Sequence, residues 1–360
     1  MIDDELKALR ARIDSIDDSL LQLVSERAAI AQQVGRAKKG DKIYRPEREA
    51  QIVRRLREAN PGPLTGDTVE RLIREIMSAC RALEETTRVA YLGPVGTFSQ
   101  QAVHKHFGHE VEALAEADID ACFHAVETGR AEFAVVPVEN STEGAISRTL
   151  DLVVASPLKI CGEVMLPIHQ TLMRKQAGLD GAGLDGIARV YGHAQSLAQC
   201  QQWLSRHLPD AERVSVVSNS DGARRAAAES DAATLGSEAA AELYGLAVVE
   251  ARIEDEATNT TRFLVLGQSD AAPSGCDKTS LVMGAKNQPG AVVKLLQPLA
   301  DAGISMSKLE SRPARGSNWE YLFFVVCQGH RQDDKLAAAL AEIQARAAFL
   351  KILGSYPAAS

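Results

Sequence analysis

Residues 3–39, DDELKALRARIDSIDDSLLQLVSERAAIAQQVGRAKK, carry the pattern that decides the fold of the first part of the chain. Apolar side chains recur there in alternating steps of three and four residues, at Leu6, Leu9, Ile13, Ile16, Leu20, Leu23, Ile30 and Val34. We call this row the seam. Its spacing is that of a heptad repeat, and it predicts one helix of about 55 Å whose apolar edge packs against another helix.

Arg27 occupies the one seam position that is not apolar. A guanidinium keeps its charge, and burying it without an anionic partner is costly. The partner can be a carboxylate of the protein, in which case Arg27 only fixes the register of the helices. It can also be an anionic substrate bound between helices. We favour the substrate because Lys38 lies about three helical turns along the same face and Arg48 lies near the start of the next predicted helix.

The composition excludes several classes of protein. The chain has 360 residues, 45% hydrophobic and 24% charged, as in ordinary globular proteins, and this length predicts two or three domains. A net charge of −8 argues against a general nucleic-acid binder. Six scattered cysteines without metal-ligand spacing favour reduced thiols in a cytoplasmic protein. With no signal peptide and no apolar run that could cross a bilayer, we expect no membrane partner.

Changes of texture along the chain predict three domains: a helical one at 1–87, an α/β one at 88–268 and an α+β one at 278–360, with a linker at 269–277. The α/β domain alternates short β-branched strands with helices. The last domain shows the order βαββαβ, which is ferredoxin-like. Three helices cannot cover so long a seam alone, so the helical domain predicts a dimer of side-by-side long helices.

Polar clusters lie at three predicted strand ends, at 139–144, 193–196 and 259–262. Polar groups at strand ends beside a helix N-terminus are well placed to bind an anion. Each cluster alone is equally explained by helix capping or by an ordinary turn. Three of them together favour a single cleft. The turn at 288–291 and the strand end at 310–313 are a further pair, which spacing alone does not distinguish from loop chemistry.

Taken together, the motifs resemble a known family. Those of the helical domain resemble the all-helical chorismate mutases, at 8–10, 26–27, 34–38 and 45–49. Those of the middle domain look like prephenate dehydratase, at 93–99, 136–141, 193–196 and 261–263. Those at 290–292 and 310–313 resemble the phenylalanine-binding motifs of ACT domains. Their order is that of the bacterial bifunctional chorismate mutase/prephenate dehydratases, and the resemblance spans essentially the whole chain.

This resemblance implies a fold and a function. The fold class is multidomain: an all-α mutase domain, an α/β two-lobed dehydratase domain similar to periplasmic binding proteins, and an α+β ferredoxin-like ACT domain. The implied enzyme rearranges chorismate to prephenate, then decarboxylates and dehydrates prephenate to phenylpyruvate, and is inhibited by L-phenylalanine. No metal or organic cofactor is implied, and the partners are these small molecules and a second copy of the chain, with higher assemblies left open.

The resemblance assigns the mutase site to Arg10, Arg27, Lys38, Arg45, Arg48, Glu49, Cys80 and Glu84. Arg10 reaches into the partner's site of an intertwined dimer, and Arg27 and Arg48 help to bind the substrate carboxylates. Lys38 donates to the ether oxygen, and Glu49 holds the substrate hydroxyl. This suits the chemistry, because a Claisen rearrangement needs only a compact conformer and stabilisation of charge on the breaking C–O bond.

Two mutase positions depart from the best-known bacterial pattern. Cys80 stands where that pattern often has serine, and Glu84 stands where it has glutamine. A thiol is a weak hydrogen-bond donor, and Glu84 must be protonated before it can donate to the ether oxygen. We therefore expect a mutase that favours lower pH, or a Glu84 whose neutral form burial stabilises.

In the dehydratase, loss of the poor hydroxide leaving group needs a donor, and the family pattern assigns this catalytic role to Thr261. The residues implied to line the cleft are Thr97, Ser99, Glu139, Asn140, Ser141, Thr142, Thr171, His193 and Gln195. Arg262 supports the cleft or binds a carboxylate. The effector-binding residues implied at an ACT dimer interface are Gly290, Ala291, Val292, Glu310, Ser311, Arg312 and Pro313.

Two alternatives remain open from the sequence. The chain can be a non-catalytic amino-acid sensor, in which the helices only dimerise, although a sensor needs neither Lys38 nor Thr261. It can also be an enzyme with one inactive site, for which the mutase is the candidate because of Cys80 and Glu84.

Overall fold

The computed structural model describes residues 2–37, 44–175, 183–285, 288–313 and 321–359. The helical domain consists of α1 (Ile2–Ala37), α2 (Pro46–Glu58) and α3 (Gly66–Ala82). Pro46 begins α2, where its missing N–H costs nothing, and Thr65 caps α3 by accepting a hydrogen bond from the amide of Thr68 at 3.2 Å. The predicted helical domain is therefore present.

The seam of α1 faces away from the rest of its own chain. The helix is 36 residues long and packs against α3. All eight apolar seam residues are exposed, from 43% for Leu6 to 62% for Leu23. Such a row is far more apolar surface than an isolated helix keeps in water.

The middle of the chain folds as two lobes. The first lobe contains β1 (Arg88–Leu92), α4 (Phe98–Phe107), β2 (Glu112–Glu116), α5 (Ile119–Glu127), β3 (Phe133–Asn140), β4 (Gly144–Ala145), α6 (Ser147–Ala155) and β5 (Lys159–Pro167). The second contains β6 (Thr171–Lys175), β7 (Arg189–His193), α7 (Ala194–Gln199), α8 (Gln201–His207), β8 (Glu212–Val216), α9 (Asn219–Ala228), β9 (Ala232–Gly236), α10 (Glu238–Tyr244) and β10 (Leu246–Glu250). The chain then returns to the first lobe as β11 (Thr260–Gly267).

The two lobes have separate sheets. The strand order in the first is β2-β1-β3-β11-β5, with β4 added to β3, and in the second it is β10-β6-β9-β7-β8. The chain crosses between the lobes twice, after β5 and after β10. This is the two-lobed α/β arrangement expected of the dehydratase domain.

The C-terminal part has the predicted βαββαβ order. Its elements are β12 (Asp277–Ala285), α11 (Ala291–Asp301), β13 (Met306–Pro313), β14 (Tyr321–Gln328), α12 (Asp334–Arg346) and β15 (Phe349–Pro357). They form an antiparallel sheet in the order β13-β14-β12-β15, which we call the regulatory sheet. The strand β12 begins at Asp277, the last residue of the predicted linker.

The regulatory sheet packs directly on the first lobe. Val282, Leu353 and Tyr356 share one buried core with Val136 and Leu264 of the first lobe. At Gly354 the approach is so close that a Cβ atom would collide with the backbone of Ile160. The two parts are therefore joined by a common apolar core.

No helix among the described residues is both long enough and apolar enough to cross a membrane.

Candidate functional site

The topology gathers the predicted dehydratase residues at one edge of each sheet. In the first lobe β1 and β3 are parallel and β11 runs antiparallel to β3, so the ends of β1 and β3 and the start of β11 lie together. In the second lobe, Thr171 at the start of β6 pairs with Gly236 at the end of β9. A short crossing from Pro167 to Thr171 brings the two edges next to each other. The edges also touch directly, because Ser237 Oγ donates to the Gly96 carbonyl at 3.0 Å.

Asn140 organises the first-lobe side of this cleft. It is 6% exposed, and its Nδ2 donates to Thr261 Oγ1 and to Asn259 Oδ1, both at 2.9 Å. Its Oδ1 accepts from the amide and the hydroxyl of Thr142, at 3.0 and 2.6 Å. Asn140 therefore fixes the positions of its neighbours. The capping alternative for residues 141–143 is wrong, since α6 begins only at Ser147.

The hydroxyl of Thr261 can act as a hydrogen-bond donor to a bound molecule. Its side-chain oxygen already accepts from Asn140, and a threonine hydroxyl has one proton of its own to donate. The residue is 9% exposed and lies opposite Asn140 in the β3–β11 pairing. Its neighbour Ser141 is tied to the same strand, with its amide on the Thr260 carbonyl at 2.9 Å. The hydroxyl of Thr261 is thus held by rigid strands and has a proton free for a substrate.

The remaining cleft residues lie at the same edges. Thr97 precedes α4, where its hydroxyl donates to the Pro94 carbonyl at 3.0 Å, and Ser99 is buried in the first turn. Thr171 is buried at the start of β6. His193 ends β7 and accepts at Nδ1 from the amide of Gln195, at 3.3 Å.

Glu139 and Arg262 lie on the opposite face from Asn140 and Thr261. Neighbouring side chains of a strand point to opposite faces, and Arg262 is paired with Glu139 across the two strands. The Arg262 guanidinium binds Glu163 at 2.9 Å and the hydroxyl of Tyr356, in the regulatory sheet, at 3.0 Å. Of the two predicted roles, the structure favours support of the cleft for Arg262. The prediction that Glu139 lines the cleft beside Thr261 does not match its placement.

Lys308 was missed by the sequence analysis. Its ammonium lies 2.9 Å from Glu139 and 3.0 Å from Glu310, so it joins the first lobe to the predicted effector motif. Lys308 and Glu310 are two apart on β13 and therefore share a face. The spacing of two residues is visible in the sequence and predicts that Lys308 and Glu310 are adjacent on one face. The contact of Lys308 with Glu139 is long-range, and no short-range pattern predicts it. Asn259, 2% exposed, was likewise named only as part of its segment.

The other effector residues lie on two elements of the regulatory domain. Gly290 precedes α11 with a φ of +74°, a conformation that favours glycine, and Ala291 and Val292 open that helix. Arg312 reaches the first lobe, where it donates to the Ser147 carbonyl at 2.6 Å. Ser311 and Pro313 lie beside Arg312 on β13.

The mutase residues are spread along the three helices. Arg10 and Arg27 are exposed on α1, and Lys38 lies outside the described residues. Glu84 is only half-buried and lies against Gly35 of α1. The role expected of Glu84 stays a prediction.

The second and third helices carry the rest. Arg45 precedes α2, and Arg48 and Glu49 are in its first turn. Cys80 is buried in α3, and Glu49 forms an ion pair with Arg81 next to it. A single chain thus does not bring Arg10 to the other mutase residues.

Tyr44 connects the helical domain to the first lobe. It is 5% exposed and lies in the same apolar cluster as Phe107 and Phe133. Its hydroxyl shares a hydrogen bond of 2.7 Å with Nε2 of His106. Burial, together with the charges of Arg74 and Arg81, holds the pKa of His106 well below its ordinary value of 6.5. The imidazole is therefore neutral in the folded protein at neutral pH.

The chain thus combines a helical domain, a two-lobed α/β domain with a polar cleft and a ferredoxin-like domain, which is the organisation of a multidomain enzyme. Family models match the same three parts: chorismate mutase type II at 9–85, prephenate dehydratase at 89–271 and ACT domain at 279–344. The bifunctional chorismate mutase/prephenate dehydratase of Neisseria gonorrhoeae is 51% identical, covering 99% of this chain and 98% of that protein. The same enzyme of Stutzerimonas stutzeri is 48% identical, with the same coverage.

A solved structure is also similar. The prephenate dehydratase of Arthrobacter aurescens, in complex with L-Phe, is 31% identical and covers 75% of this chain and 90% of that chain, with a TM-score of 0.68. The chain belongs to the bifunctional chorismate mutase/prephenate dehydratases. It rearranges chorismate to prephenate and converts prephenate to phenylpyruvate, so the sensor alternative is excluded.

The geometry of Thr261 predicts how its substitution affects the dehydratase. Thr261→Val keeps the shape but removes the donor, and we expect kcat with prephenate to fall by about 100-fold or more. Thr261→Ser keeps the hydroxyl and should stay within about tenfold of the parent. Mutase activity on chorismate serves as the control for folding. A Thr261→Val enzyme with unchanged dehydratase kcat would exclude this donor role.

The burial of His106 predicts a pH dependence of stability. Because its folded pKa lies below 6.5, the unfolded chain takes up a proton that the folded chain does not. This contribution to stability is fully present above pH 6.5 and is lost as the pH falls towards the folded pKa. We expect the Tm of His106→Gln to fall less on acidification than that of the parent. Tyr44→Phe, which keeps the histidine buried, should retain the parent's dependence, and equal slopes for all three proteins would contradict the assignment.

Proposed function

We propose that this enzyme works as a homodimer paired along the seam of α1, and that L-phenylalanine bound by its regulatory domain inhibits it. The observation that carries the dimer is the exposure of all eight apolar seam residues. Burial of apolar surface contributes about 25 cal/mol per Å², so a second copy of α1 is the natural cover for such a row.

The proposed dimer also explains the placement of the mutase charges. Arg10 and Arg27 are exposed on α1, whereas Arg48 and Glu49 lie in the first turn of α2. Pairing of two long helices lets Arg10 of one copy complete the site of the other. In each site Arg27 and Arg48 bind the two carboxylates of chorismate, Glu49 accepts its hydroxyl, and Lys38 donates to the ether oxygen. We place Arg45, Cys80 and Glu84 around the same substrate.

These roles supply what the rearrangement needs. The reaction breaks a C–O bond and forms a C–C bond within one molecule, with no proton transferred. Cations at the carboxylates hold the compact conformer, and donors at the ether oxygen stabilise the negative charge that develops there. Glu84 can contribute only in its protonated form.

In the dehydratase site we propose that prephenate binds in the cleft with its ring hydroxyl at Thr261. Loss of CO2 leaves an electron pair that enters the ring as the hydroxyl departs, and the ring becomes aromatic. The hydroxyl of Thr261 donates to the departing oxygen while Asn140 holds it in place. The residues at the other strand ends, including Thr171 and Gln195, bind the rest of the substrate.

Regulation by phenylalanine is supported from two sides. The similar Arthrobacter dehydratase was solved with L-Phe. In this chain the predicted effector residues Glu310 and Arg312 lie on β13, which makes two polar contacts with the first lobe. Lys308, beside Glu310, pairs with Glu139, and Arg312 donates to the Ser147 carbonyl. Occupation of the motif therefore has a direct path to β3. The effect is allosteric only if effector and substrate affinities are coupled.

Two further assignments complete the proposal. We place the domains at 1–87, 88–268 and 278–360, and the enzyme in the cytoplasm. All six cysteines are free thiols, five of them buried, which suits a reducing compartment.

The test follows both products from chorismate, with and without L-phenylalanine, in two matched variants. Leu20→Asp puts a charge in the seam and should give monomers by analytical ultracentrifugation. Its mutase activity should fall by about 100-fold or more, because each site loses a cation of the partner. Dehydratase activity on prephenate should persist. Leu21→Asp, at a position off the seam that is 69% exposed, should remain a dimer with normal activity.

Other results of the same experiment count against the proposal. An active, dimeric Leu20→Asp protein would overturn pairing along the seam. Product formation that L-phenylalanine leaves unchanged would overturn the inhibition. A mutase rate that none of the substitutions in the proposed mutase site changes would overturn the proposed roles of those residues.

Glu84 predicts the pH profile of the mutase. Because only the neutral carboxyl can donate, the parent should lose mutase activity as pH rises, and Glu84→Gln should be nearly independent of pH over the same range. Rates of prephenate formation between about pH 5 and 9 measure both profiles. Glu84→Ala, which donates at no pH, is the control. Identical profiles for the parent and Glu84→Gln would exclude a donor role for Glu84.

A further inference from the structure

Two arginines of α3 anchor the helical domain to the C-terminal end of α4. Arg74 Nη1 donates to the carbonyl of His106 at 3.3 Å, and Arg81 Nη2 donates to the carbonyl of Phe107 at 2.7 Å. The last carbonyls of a helix have no partner within the helix and carry the negative end of its dipole, so they attract guanidinium groups. The two arginines are seven residues apart and thus lie on one face of α3.

The two arginines differ in their carboxylate partner. Arg74 pairs with Glu70 on its own helix, with Nε 2.9 Å from Oε1. Arg81 pairs across to Glu49 of α2, through Nη1 and Oε1. The side chains of Arg81 and Glu49 are 8% and 12% exposed. Breaking a pair at this depth leaves an uncompensated charge, so the two groups constrain one another strongly.

Tyr44 also packs at the contact between Arg81 and the C-terminal end of α4. Its ring lies between Arg81, whose Cζ is 5.1 Å from the ring centroid, and Phe107, whose ring is 5.0 Å away. Tyr44 precedes Pro46, the first residue of α2, by two positions, and Glu49 is in the first turn of that helix. The start of α2 is therefore held on the first lobe by an aromatic anchor and by the Arg81–Glu49 pair together.

We propose that Arg81 is a positioning residue of the chorismate mutase reaction, which holds the Glu49 carboxylate in place by linking it to the carbonyl end of α4. The inference rests on the proposed role of Glu49 as acceptor of the substrate hydroxyl. The pair engages Oε1, and a carboxylate has a second oxygen with which it accepts a hydroxyl. Arg81 also supplies positive charge behind a carboxylate that must work beside a dianionic substrate.

The proposal makes the mutase site depend on the dehydratase domain. The carbonyl that receives Arg81 belongs to α4, and α4 begins at the dehydratase cleft beside Thr97. A carboxylate displaced by about 1 Å costs on the order of 100-fold in rate. The position of α4 therefore matters for the rearrangement of chorismate.

The experiment compares four single variants of the full-length enzyme, Arg81→Met, Arg81→Lys, Arg74→Met and Glu49→Gln, and one double variant. Mutase kcat and KM are measured with chorismate, and dehydratase kcat and KM with prephenate supplied directly. Arg74→Met is the matched control, because it removes the neighbouring anchor to α4 without touching Glu49. The double variant Glu49→Gln/Arg81→Met tests whether the two residues act together.

We expect Arg81→Met to lower mutase kcat/KM by about 10- to 100-fold, with the dehydratase within about twofold of the parent. The loss should fall on the same parameter, kcat or KM, as in Glu49→Gln. Arg81→Lys keeps the charge and should recover part of the activity, and Arg74→Met should stay near the parent. Because Arg81 acts through Glu49, the double variant should be no worse than Glu49→Gln alone.

Distinct results separate the possible failures. Full mutase activity in Arg81→Met, multiplied losses in the double variant, or an equal loss in Arg74→Met each overturn the proposal. Full activity in Glu49→Gln instead overturns the proposed role of Glu49, whatever Arg81 does. If Arg81→Met also lowers dehydratase kcat, Arg81→Lys, which keeps a cation in the buried corner, replaces it. A mutase kcat/KM in Arg81→Lys that is below the parent's, with a normal dehydratase kcat, then supports the proposal, and one no lower than the parent's overturns it.

Discussion

The antiparallel pairing of β3 with β11 is the interaction on which the dehydratase half of this enzyme depends. It joins Asn140 to Thr261 and Glu139 to Arg262, residues more than 100 positions apart in the sequence. Because side chains alternate along each strand, one pair faces the cleft and the other faces the regulatory sheet. A slip of one residue would exchange the two faces and put the Arg262 guanidinium in the place of the Thr261 hydroxyl. The register shift that follows Arg262 confines this pairing to the strand ends.

The sequence predicted the parts of this arrangement that are local. Strand ends, polar clusters and the heptad seam follow from short-range patterns, and all three appear in the structure. Alternation along a strand is also local, so the separation of Asn140 from Glu139 and of Thr261 from Arg262 was within reach of the sequence. The assignment by family motif did not separate them, because each motif contains consecutive residues of a strand and all of these residues were assigned to one cleft.

What the sequence could not predict are contacts between distant segments. Lys308 meets Glu139 only because β13 of the regulatory sheet lies over the end of β3. Arg81 is an ordinary helix residue in the sequence, and its contact with Phe107 depends on how α3 docks on α4. The pattern of α3 shows that one face is buried, but not which domain buries it. The mutase residues were predicted one by one from the family resemblance, and the partner that Arg10 needs lies outside the single chain.

The charged contacts of the regulatory sheet show which strands of the dehydratase domain a movement of that sheet would affect. Glu163, with a fully buried side chain, receives both Arg262 of β11 and Lys278 of β12. Burial alone would raise the pKa of this carboxyl, but the two cations hold it below its ordinary value. Moving the regulatory sheet would separate Lys278 from a carboxylate that remains buried, at a cost that favours moving β5 and β11 with it.

The other charged contacts reach the same region. Lys308 binds β3, Lys351 donates to the carbonyls of Val153, Val154 and Ser156 at the end of α6, and Arg312 binds Ser147 at its start. In each of these contacts the partner of the lysine or arginine belongs to the first lobe, which also carries Asn140 and Thr261. Since coupling is reciprocal, a substrate that closes the cleft and shifts β3 and β11 must also alter the regulatory strand β13. Because a shared apolar core and these charged contacts join the regulatory sheet to the first lobe, a shift of that sheet acts on the strands that hold Asn140 and Thr261.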